Sequence, residues 1–369
     1  MSLRAGQVAA VLVVGIVGVL IPGLQPQLLG ALASEGRLSV AALGGLASAE
    51  LLAMGLAAAA AGFVLPARRL RRIAAVALVG AGMLDLATPL LDAGGIFAAR
   101  IGAGLGEGVL IWIAIGFIVR TSRPERWSGI YLALQTLAQF ALASSMGLYA
   151  AGSHAGFTAL GVVTLAAVAV VRWLPDAYAP LAADAAARGM PSSRGLFALA
   201  GVLLYLAFIV AVWVYVEPLE LEHGLSEHSV HLIAPLSLAM QVLGAGAATL
   251  LSGRLPARPT IVVVGLINLG LLAIMAAPPS AAAFVAATAV FGFLWLFVMP
   301  FQVPAVIAAD PSRRAAVLIG GAQLVGSSLG PLLAGFLTSE AGVVPVLWFG
   351  ATCLVGGVLV LGMAAQVRG

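Results

Sequence analysis

The sequence has no lysine, a single cysteine and few charged residues of either sign. Without lysine, the chain cannot contain a phosphate loop of the G-x-x-x-x-G-K-[ST] type, because that lysine contacts the phosphates. One cysteine, Cys353, excludes an internal disulfide and a cysteine-based metal site. Charged residues make up 9% and hydrophobic residues 62% of the chain, which leaves too little polar surface to cover a soluble globule. The composition indicates a polytopic membrane protein.

The apolar residues form twelve segments that are long enough to cross a membrane. A spanning helix needs about 20 mostly apolar residues, because each backbone polar group must find its partner inside the segment. The first segment is too long for a signal peptide and lacks a small-residue cleavage pattern, so we expect a retained helix. The predicted spans are residues 6–33, 39–64, 73–91, 98–119, 128–150, 156–174, 196–216, 230–252, 259–277, 282–307, 315–337 and 341–364.

The arginines predict the orientation of the chain. Sixteen of the eighteen fall in polar breaks on one side of the membrane, whereas Arg37 and Arg100 lie toward the other side. Cytoplasmic loops carry the excess of positive charge, and an even number of spans puts both termini on one side. We therefore expect a bacterial inner-membrane protein with both termini in the cytoplasm. The net charge of +4 is spread over inner loops, which indicates contact with membrane lipids rather than nucleic acid.

The chain divides into two halves of six spans. The longest polar interval covers residues 175–195. The tetrapeptide LPAR follows the second span at residues 65–68 and the eighth span at residues 255–258, as expected for a duplicated six-span unit. The expected organisation is an N-terminal bundle of residues 1–174, a cytoplasmic loop of residues 175–195 and a C-terminal bundle of residues 196–369.

Two motifs lie inside predicted spans. Residues 100–106 in the fourth span follow the pattern R-x-x-x-G-x-G, and residues 330–335 in the eleventh read GPLLAG, similar to the G-P-x-x-G-G stretch of drug and proton antiporters. With the arrangement of six plus six spans, the chain resembles the major facilitator superfamily of secondary transporters over its whole length. The loop after the second span keeps that family's basic cluster but lacks its aspartate, so a gate latched by that residue is not expected.

The resemblance implies the architecture of the whole chain. The implied fold is an all-α membrane protein of twelve transmembrane helices, in two six-helix bundles related by pseudo-two-fold symmetry. Substrate would bind between the bundles near the middle of the membrane, and the bundles would rock about this site. Glycine clusters and prolines within the spans suit such a fold, because small residues allow close helix packing and prolines bend helices.

Four charged side chains of the first half fall inside predicted spans: Glu50, Asp85, Arg100 and Glu107. An ionised side chain at the bilayer centre costs at least ~2.5 kcal/mol, so each needs a partner, water or a proton. At 1.5 Å per helical residue, Asp85 and Arg100 differ in depth by roughly 6 Å, and we expect them to form a structural ion pair. Glu50 and Glu107 lie closer to mid-membrane, without an obvious cation.

We expect Glu107 and Glu50 to carry the coupled proton. The charged form of a carboxylate is disfavoured in a low-dielectric cavity, so such a group takes up a proton near physiological pH. In the resembled family the arginine of the fourth span is associated with proton coupling, which implies the same role for Arg100, with Asp85 beside it. A structural alternative is that Glu107 pairs with Arg100 two turns away and that Glu50 hydrogen-bonds a neighbouring helix.

The second half has no acidic residue at mid-membrane, and its spans carry polar and aromatic side chains that suit a binding wall. Ordinary helix packing is the alternative for each of them, and is favoured for Asn268. The outer loop of residues 217–231 is rich in Glu and His, and we interpret it as a solvated acidic vestibule rather than a metal site, because no zinc spacing is present. The substrate-binding candidates of the whole chain are Gln25 and Gln135 in the first half, and Tyr205, Gln241, Trp295 and Gln302 in the second.

These features together predict a proton-driven secondary transporter, a monomer without cofactor or metal, that exports a small amphipathic or cationic organic solute. Uptake of a small nutrient or metabolite by proton symport is the alternative, since the direction depends on stoichiometry rather than on fold. An enzyme is not expected, because the sequence holds no nucleophile with a base, no metal set and no nucleotide loop. A membrane sensor would add a soluble domain, for which no inner or outer segment is long enough.

Overall fold

The computed structural model describes residues 4–66, 68–118, 120–121, 124–148, 152–178, 191–225, 227–251, 254–311, 314–338 and 342–363. Within these ranges the chain is helical, and an isolated antiparallel bridge joins Arg68 and Ala177. The first half contains α1 (Ala5–Val17), α2 (Leu20–Ser34), α3 (Val40–Val64), α4 (Leu70–Ala87), α5 (Ala93–Ile118), α6 (Pro124–Leu148) and α7 (Ser153–Ala166).

The second half of the described chain has the same all-helical character. Short 3-10 turns extend α4 at Thr88–Leu90 and α7 at Ala167–Trp173 in the first half, and no such turn is described in the second. Its helices are α8 (Ser193–Val214), α9 (Val216–Glu222), α10 (Glu227–Leu251), α11 (Ala257–Ala276), α12 (Ala281–Ala309), α13 (Arg314–Val317), α14 (Ile319–Gly335) and α15 (Pro345–Met363).

The described residues include ten helical stretches that are long and apolar enough to cross a membrane. They coincide with ten of the twelve predicted spans. The fifth and eleventh predicted spans are occupied by α6 and by α14, which is 17 residues long. These two helices are the weaker candidates, because α6 carries several polar side chains and α14 begins only after a break at Leu318.

The first span is one stretch of apolar sequence but two helices. α1 ends at Val17 and α2 begins at Leu20, with the intervening residues in a turn. Pro22 lies in the first turn of α2. A backbone N–H at this place would have no intrahelical acceptor, so proline loses no helical hydrogen bond here. A proline at this place is compatible with restarting a helix, so the break does not prevent the pair from covering the predicted span.

The chain forms two compact units. Unit 1 comprises Met1–Leu38 and Ala49–Ala183, and unit 2 comprises Ser39–Ser48 and Asp184–Gly369. The helix α3 is therefore shared, since its first residues pack within unit 2 and the remainder within unit 1. In unit 2 the backbone N–H of Gly44, near the start of α3, donates to the Tyr215 hydroxyl at 3.0 Å.

Glycines bring particular helices close together in each unit. In unit 1 a methyl group at Gly104 of α5 would lie 2.7 Å from the Glu50 carbonyl oxygen of α3, and one at Gly108 would lie 2.2 Å from that of Met54. In unit 2, Gly330 of α14 approaches the Ala207 carbonyl of α8 just as closely, at 2.2 Å. Only glycine permits this approach, because a side chain would overlap the neighbouring backbone.

Candidate functional site

The four charged residues that the sequence places in spans of the first half meet in the interior of unit 1. Arg100 of α5 donates through Nε to Glu50 Oε1 of α3 at 2.8 Å, and its Nη2 contacts the same oxygen. Arg100 Nη1 donates to Asp85 Oδ1 of α4 at 2.5 Å. Glu107 Oε1, two turns further along α5, lies 3.5 Å from Nη2. One guanidinium thus lies among three carboxylates.

The structure contains the expected pair of Asp85 and Arg100. The expectation that Glu50 has no permanent cation is wrong, because Glu50 is also bonded to Arg100. The reason is the helix start: α5 begins at Ala93 rather than at residue 98, so Arg100 lies seven residues, or about 10 Å, into the helix. The arginine is therefore deep enough for the side chain of Glu50 to reach it across the close contact of α3 with α5.

The contact of Glu107 with Arg100 is weaker than those of the other two acids. At 3.5 Å the two atoms form an ion pair but lie beyond the usual range of a charge-assisted hydrogen bond. Glu107 Oε2 is buried and has no hydrogen-bonding partner among the described residues. The alternative in which Glu107 pairs with Arg100 is thus present as a loose contact, and Glu107 remains the acid with the fewest bonds.

The charge of this cluster is unbalanced. The side chains of Glu50, Asp85 and Arg100 are 0% exposed and that of Glu107 is 4% exposed. Three ionised carboxylates beside one guanidinium would leave two excess negative charges inside the helix bundle. Each uncompensated buried ion costs several kcal/mol even after relaxation, and more within a membrane. The arrangement therefore favours a cluster that holds protons.

The helix α7 supplies two contacts that the sequence analysis missed. The ring of Phe157 covers the Arg100 guanidinium, with its centroid 5.3 Å from the central carbon. The Thr164 hydroxyl lies 3.3 Å from Asp85 Oδ2 and 2.9 Å from the carbonyl oxygen of Leu160. Both side chains belong to an apolar segment without a polar pattern, so the sequence gives no signal of their position.

Among the binding candidates, two belong to unit 1. Gln25 of α2 is fully buried beside Glu50, and neither atom of its amide makes a hydrogen bond of good geometry with a described residue. A buried amide with four unused hydrogen-bonding positions is costly unless water or a ligand satisfies it. Gln135 of α6 is partly exposed.

The four candidates of unit 2 lie in a polar and aromatic interior. Gln302 of α12 is fully buried and accepts a hydrogen bond from Gln323 of α14 at 3.3 Å. Gln241 is buried, and its Nε2 has no partner among the described residues. Trp295 packs edge-on against Trp213, with ring centroids 5.8 Å apart. The described spans of unit 2 thus present uncharged polar groups and aromatic rings.

Tyr205 of α8 is the fourth candidate. Its side chain is fully buried beside Asn268 of α11, but its hydroxyl has no hydrogen bond of good geometry to a described residue. Asn268 instead donates to the carbonyl oxygen of Val264 at 3.0 Å. Its environment is consistent with helix packing, the alternative considered for each of these residues.

The outer acidic segment differs from the expected solvated vestibule. Glu217 and Glu220 lie on the short helix α9, and Glu220 is 1% exposed. Burial raises the pKa of Glu217 to about 8, and burial together with the nearby Glu217 charge raises the pKa of Glu220. A loop rich in acidic residues predicts exposure to solvent, whereas here α9 buries part of this acidic segment. His228 and His231, from the same segment, lie outside the described side chains.

The other side chains around α9 serve structural contacts. Glu222 Oε2 accepts a hydrogen bond from the backbone N–H of Val343 at 2.6 Å. A ring nitrogen of His223 lies 2.8 Å from the carbonyl oxygen of Met275. Among the residues that the structure describes, no group of three or more His, Cys, Asp or Glu side chains is arranged to hold a metal ion.

Comparisons with known proteins agree with this architecture. No family model and no curated protein matches the sequence. The chain is similar in structure to FucP, a major facilitator superfamily transporter in an outward conformation, with 13% identity, a TM-score of 0.63 and coverage of 98% of this chain and 99% of the other. It is also similar to the nucleoside transporter NupG, with 12% identity, a TM-score of 0.73 and coverage of 98% and 100%.

A third solved structure is a bacterial homologue of the human lysosomal transporter Spinster, in an inward-facing and occupied conformation. It is 16% identical, with a TM-score of 0.63 and coverage of 98% of this chain and 94% of the other. All three proteins are described as transporters. At such low identities the likeness establishes the fold and not the substrate. The chain is thus an all-α membrane protein with the fold of the major facilitator superfamily.

Proposed function

We propose that the protein is a proton-coupled secondary active transporter that exports a small amphipathic or cationic organic solute across the bacterial inner membrane. It works by alternating access, as a monomer with both termini in the cytoplasm. The observation that carries the proposal is the buried cluster of Glu50, Asp85, Arg100 and Glu107 in unit 1. A structural ion pair needs one acid for each arginine, and this cluster has two acids in excess.

The excess acids support proton binding. Glu50 and Asp85 hold Arg100 through short hydrogen bonds, whereas Glu107 makes only the long contact. When Glu107 is protonated, the guanidinium needs to satisfy only the other two acids. When Glu107 loses its proton, its carboxylate competes with Glu50 for Nη2. Protonation therefore changes the forces between α3 and α5, and a transporter can use this change to couple proton movement to a conformational step.

The binding candidates support a small organic substrate. Gln25 and Gln135 in unit 1 offer amides, and Tyr205, Gln241, Trp295 and Gln302 in unit 2 offer uncharged polar groups and aromatic faces. Aromatic faces attract organic cations, and a deprotonated acid does so too. This combination favours a cationic or amphipathic solute over an anion.

Uptake by proton symport is the second candidate function. It is favoured by the similarity to NupG, which is described as a nucleoside transporter. In that case the substrate is a small polar nutrient or metabolite, and proton and substrate move in the same direction. The cluster of unit 1 serves both directions equally, so the direction has to be measured.

The test is transport into proteoliposomes of known protein orientation, with a panel of nucleosides and amphipathic cations and a pH gradient of either polarity. Antiport predicts that the substrate moves in the direction opposite to the proton flux. Symport predicts that the substrate and the protons move in the same direction. In Glu107→Gln we expect no gradient-driven flux, with exchange of internal for external substrate retained. Glu222→Gln, on an exposed acid outside the spans, is the matched control. Unaltered proton coupling in Glu107→Gln would contradict the proposal.

A further inference from the structure

One face of α7 touches both members of the ion pair of Asp85 and Arg100. Phe157, Gly161 and Thr164 are spaced by four and three residues, which puts them on the same side of the helix. Phe157 is 0% and Thr164 is 2% exposed. The ring covers the guanidinium of Arg100, and the hydroxyl reaches the carboxylate of Asp85.

The close approach of α7 to α4 makes these contacts possible. A methyl group at Gly161 would lie 2.9 Å from the carbonyl oxygen of Gly82, and one at Gly82 would lie 3.2 Å from that of Gly161. The two glycines thus face each other where the helices cross. Asp85 follows Gly82 by three residues and Thr164 follows Gly161 by three, so both side chains emerge one turn from the contact. The geometry brings a threonine hydroxyl to a carboxylate that also bonds an arginine.

We infer that Phe157 and Thr164 are positioning residues that hold Arg100 on Asp85 and Glu50 and thereby leave Glu107 as the acid that exchanges protons. The inference rests on the proposed function. The charged groups that face this site from the described helices are Glu50 of α3, Asp85 of α4, and Arg100 and Glu107 of α5. The central carbon of the Arg100 guanidinium lies over the Phe157 ring. The Thr164 hydroxyl shares its hydrogen between the carbonyl oxygen of Leu160 at 2.9 Å and, at 3.3 Å, the oxygen of Asp85 that Arg100 does not use.

Loss of either contact has a definite direction. Without the Thr164 hydroxyl, the Asp85 carboxylate loses a donor and binds a proton more readily, which releases Arg100 Nη1. Without the Phe157 ring, the guanidinium loses the group that packs on it and is free to shift. In both cases Arg100 can close the 3.5 Å gap to Glu107, and a tighter contact with a cation stabilises the ionised form of Glu107. The pH at which Glu107 takes up its proton then falls.

The experiment is an infrared pH titration of the purified protein in lipid, with the proton itself as the ligand. The protonated carboxyl band of Glu107 is identified by its loss in Glu107→Gln. We expect Thr164→Val and Phe157→Leu to move the midpoint of that band to lower pH by about half a unit to one unit, the size of one hydrogen bond. Thr164→Ser, which keeps the hydroxyl, should restore the wild-type midpoint.

The matched control is Thr136→Val in α6, a buried threonine that donates to the carbonyl oxygen of Leu132 in its own helix and makes no described hydrogen bond to the cluster. It should leave the midpoint unchanged. If Thr164→Val does not give monodisperse protein, Phe157→Leu carries the same test. A Glu107 band that titrates identically in wild type, Thr164→Val and Phe157→Leu overturns the inference but leaves the proposed function intact. If no titrating band is lost in Glu107→Gln, the proposed role of Glu107 fails first.

Discussion

The two compact units bury very different polar groups in their spans. Unit 1 has a guanidinium among three carboxylates, and the spans of unit 2, as far as they are described, bury only uncharged polar side chains such as Gln302 and Asn268. Both units nevertheless pack their helices by the same means, with glycines against neighbouring carbonyls. The difference therefore concerns chemistry and not architecture. Spans with buried acids suit coupling, and spans that bury only uncharged polar groups suit recognition of an organic solute.

The largest effect is expected when the cation of unit 1 is removed. Arg100→Leu leaves three buried acids without a counterion, which should lower the free energy of unfolding by about 3–5 kcal/mol. The loss should be smaller at pH 5 than at pH 8, because protonated acids need no cation. Thermal unfolding in detergent measures it. Arg37→Leu, which removes a half-buried arginine whose hydrogen bond within the described part of the chain goes to the carbonyl oxygen of Leu91, is the control. Equal losses in the two variants would contradict the special role of the cluster.

A second prediction concerns what the units share. Gly108→Ala in unit 1 and Gly330→Ala in unit 2 each force a methyl group to within 2.2 Å of a backbone oxygen, so both should destabilise by about 1–3 kcal/mol. Gly80→Ala and Gly270→Ala, where a methyl group meets open space, are the controls and should be near neutral. Thermal unfolding measures the loss of stability. A large loss in the variant of one unit only would mean that the two units do not pack their helices in the same way.

The same comparison shows what the sequence can predict. Charges inside apolar segments are visible in the sequence, and helix depth brings Asp85 and Arg100 together. The partner of Glu50 depends on where α5 begins. The predicted span starts five residues later than the helix does, so the prediction placed Arg100 about 7 Å too close to the end of the helix. Phe157 and Thr164 carry no sequence signal, because an apolar helix does not record which face meets which neighbour. The sequence therefore gives the composition of the site better than its contacts.

A pH-dependent prediction concerns the acids of unit 2 outside its spans. The pKa of Glu217 is raised to about 8 in the folded protein, from an ordinary value near 4.5. The folded state therefore binds this proton more tightly than the unfolded state. Its contribution to stability is complete below about pH 4.5 and is lost as the pH rises through about 8. Glu217→Gln stays neutral and should raise the melting temperature by a few degrees at pH 9 but not at pH 4.

The exposed Glu222 of the same helix provides the control for that measurement, and Glu222→Gln should show no such gain at high pH. A gain in Glu217→Gln that is equal at pH 4 and pH 9 would mean that the carboxylate acts through packing rather than through charge. If the gain follows the pH, unit 2 also contains a proton-sensitive acid, but one outside the spans. The contrast between the two units would then hold for their membrane-spanning helices alone.

The smallest effect is expected at Tyr205, where the hydroxyl of a fully buried ring has no hydrogen-bonding partner of good geometry among the described residues. Removal of an unsatisfied polar group costs nothing in folding, so Tyr205→Phe should change the free energy of unfolding by less than about 0.5 kcal/mol, or raise it slightly. Asn268→Leu should cost more, since Asn268 donates to Val264. If Tyr205 belongs to the substrate wall, Tyr205→Phe raises the substrate KM without loss of stability. An unchanged KM would assign it to packing, and recognition in unit 2 would then depend on its glutamines and on Trp295.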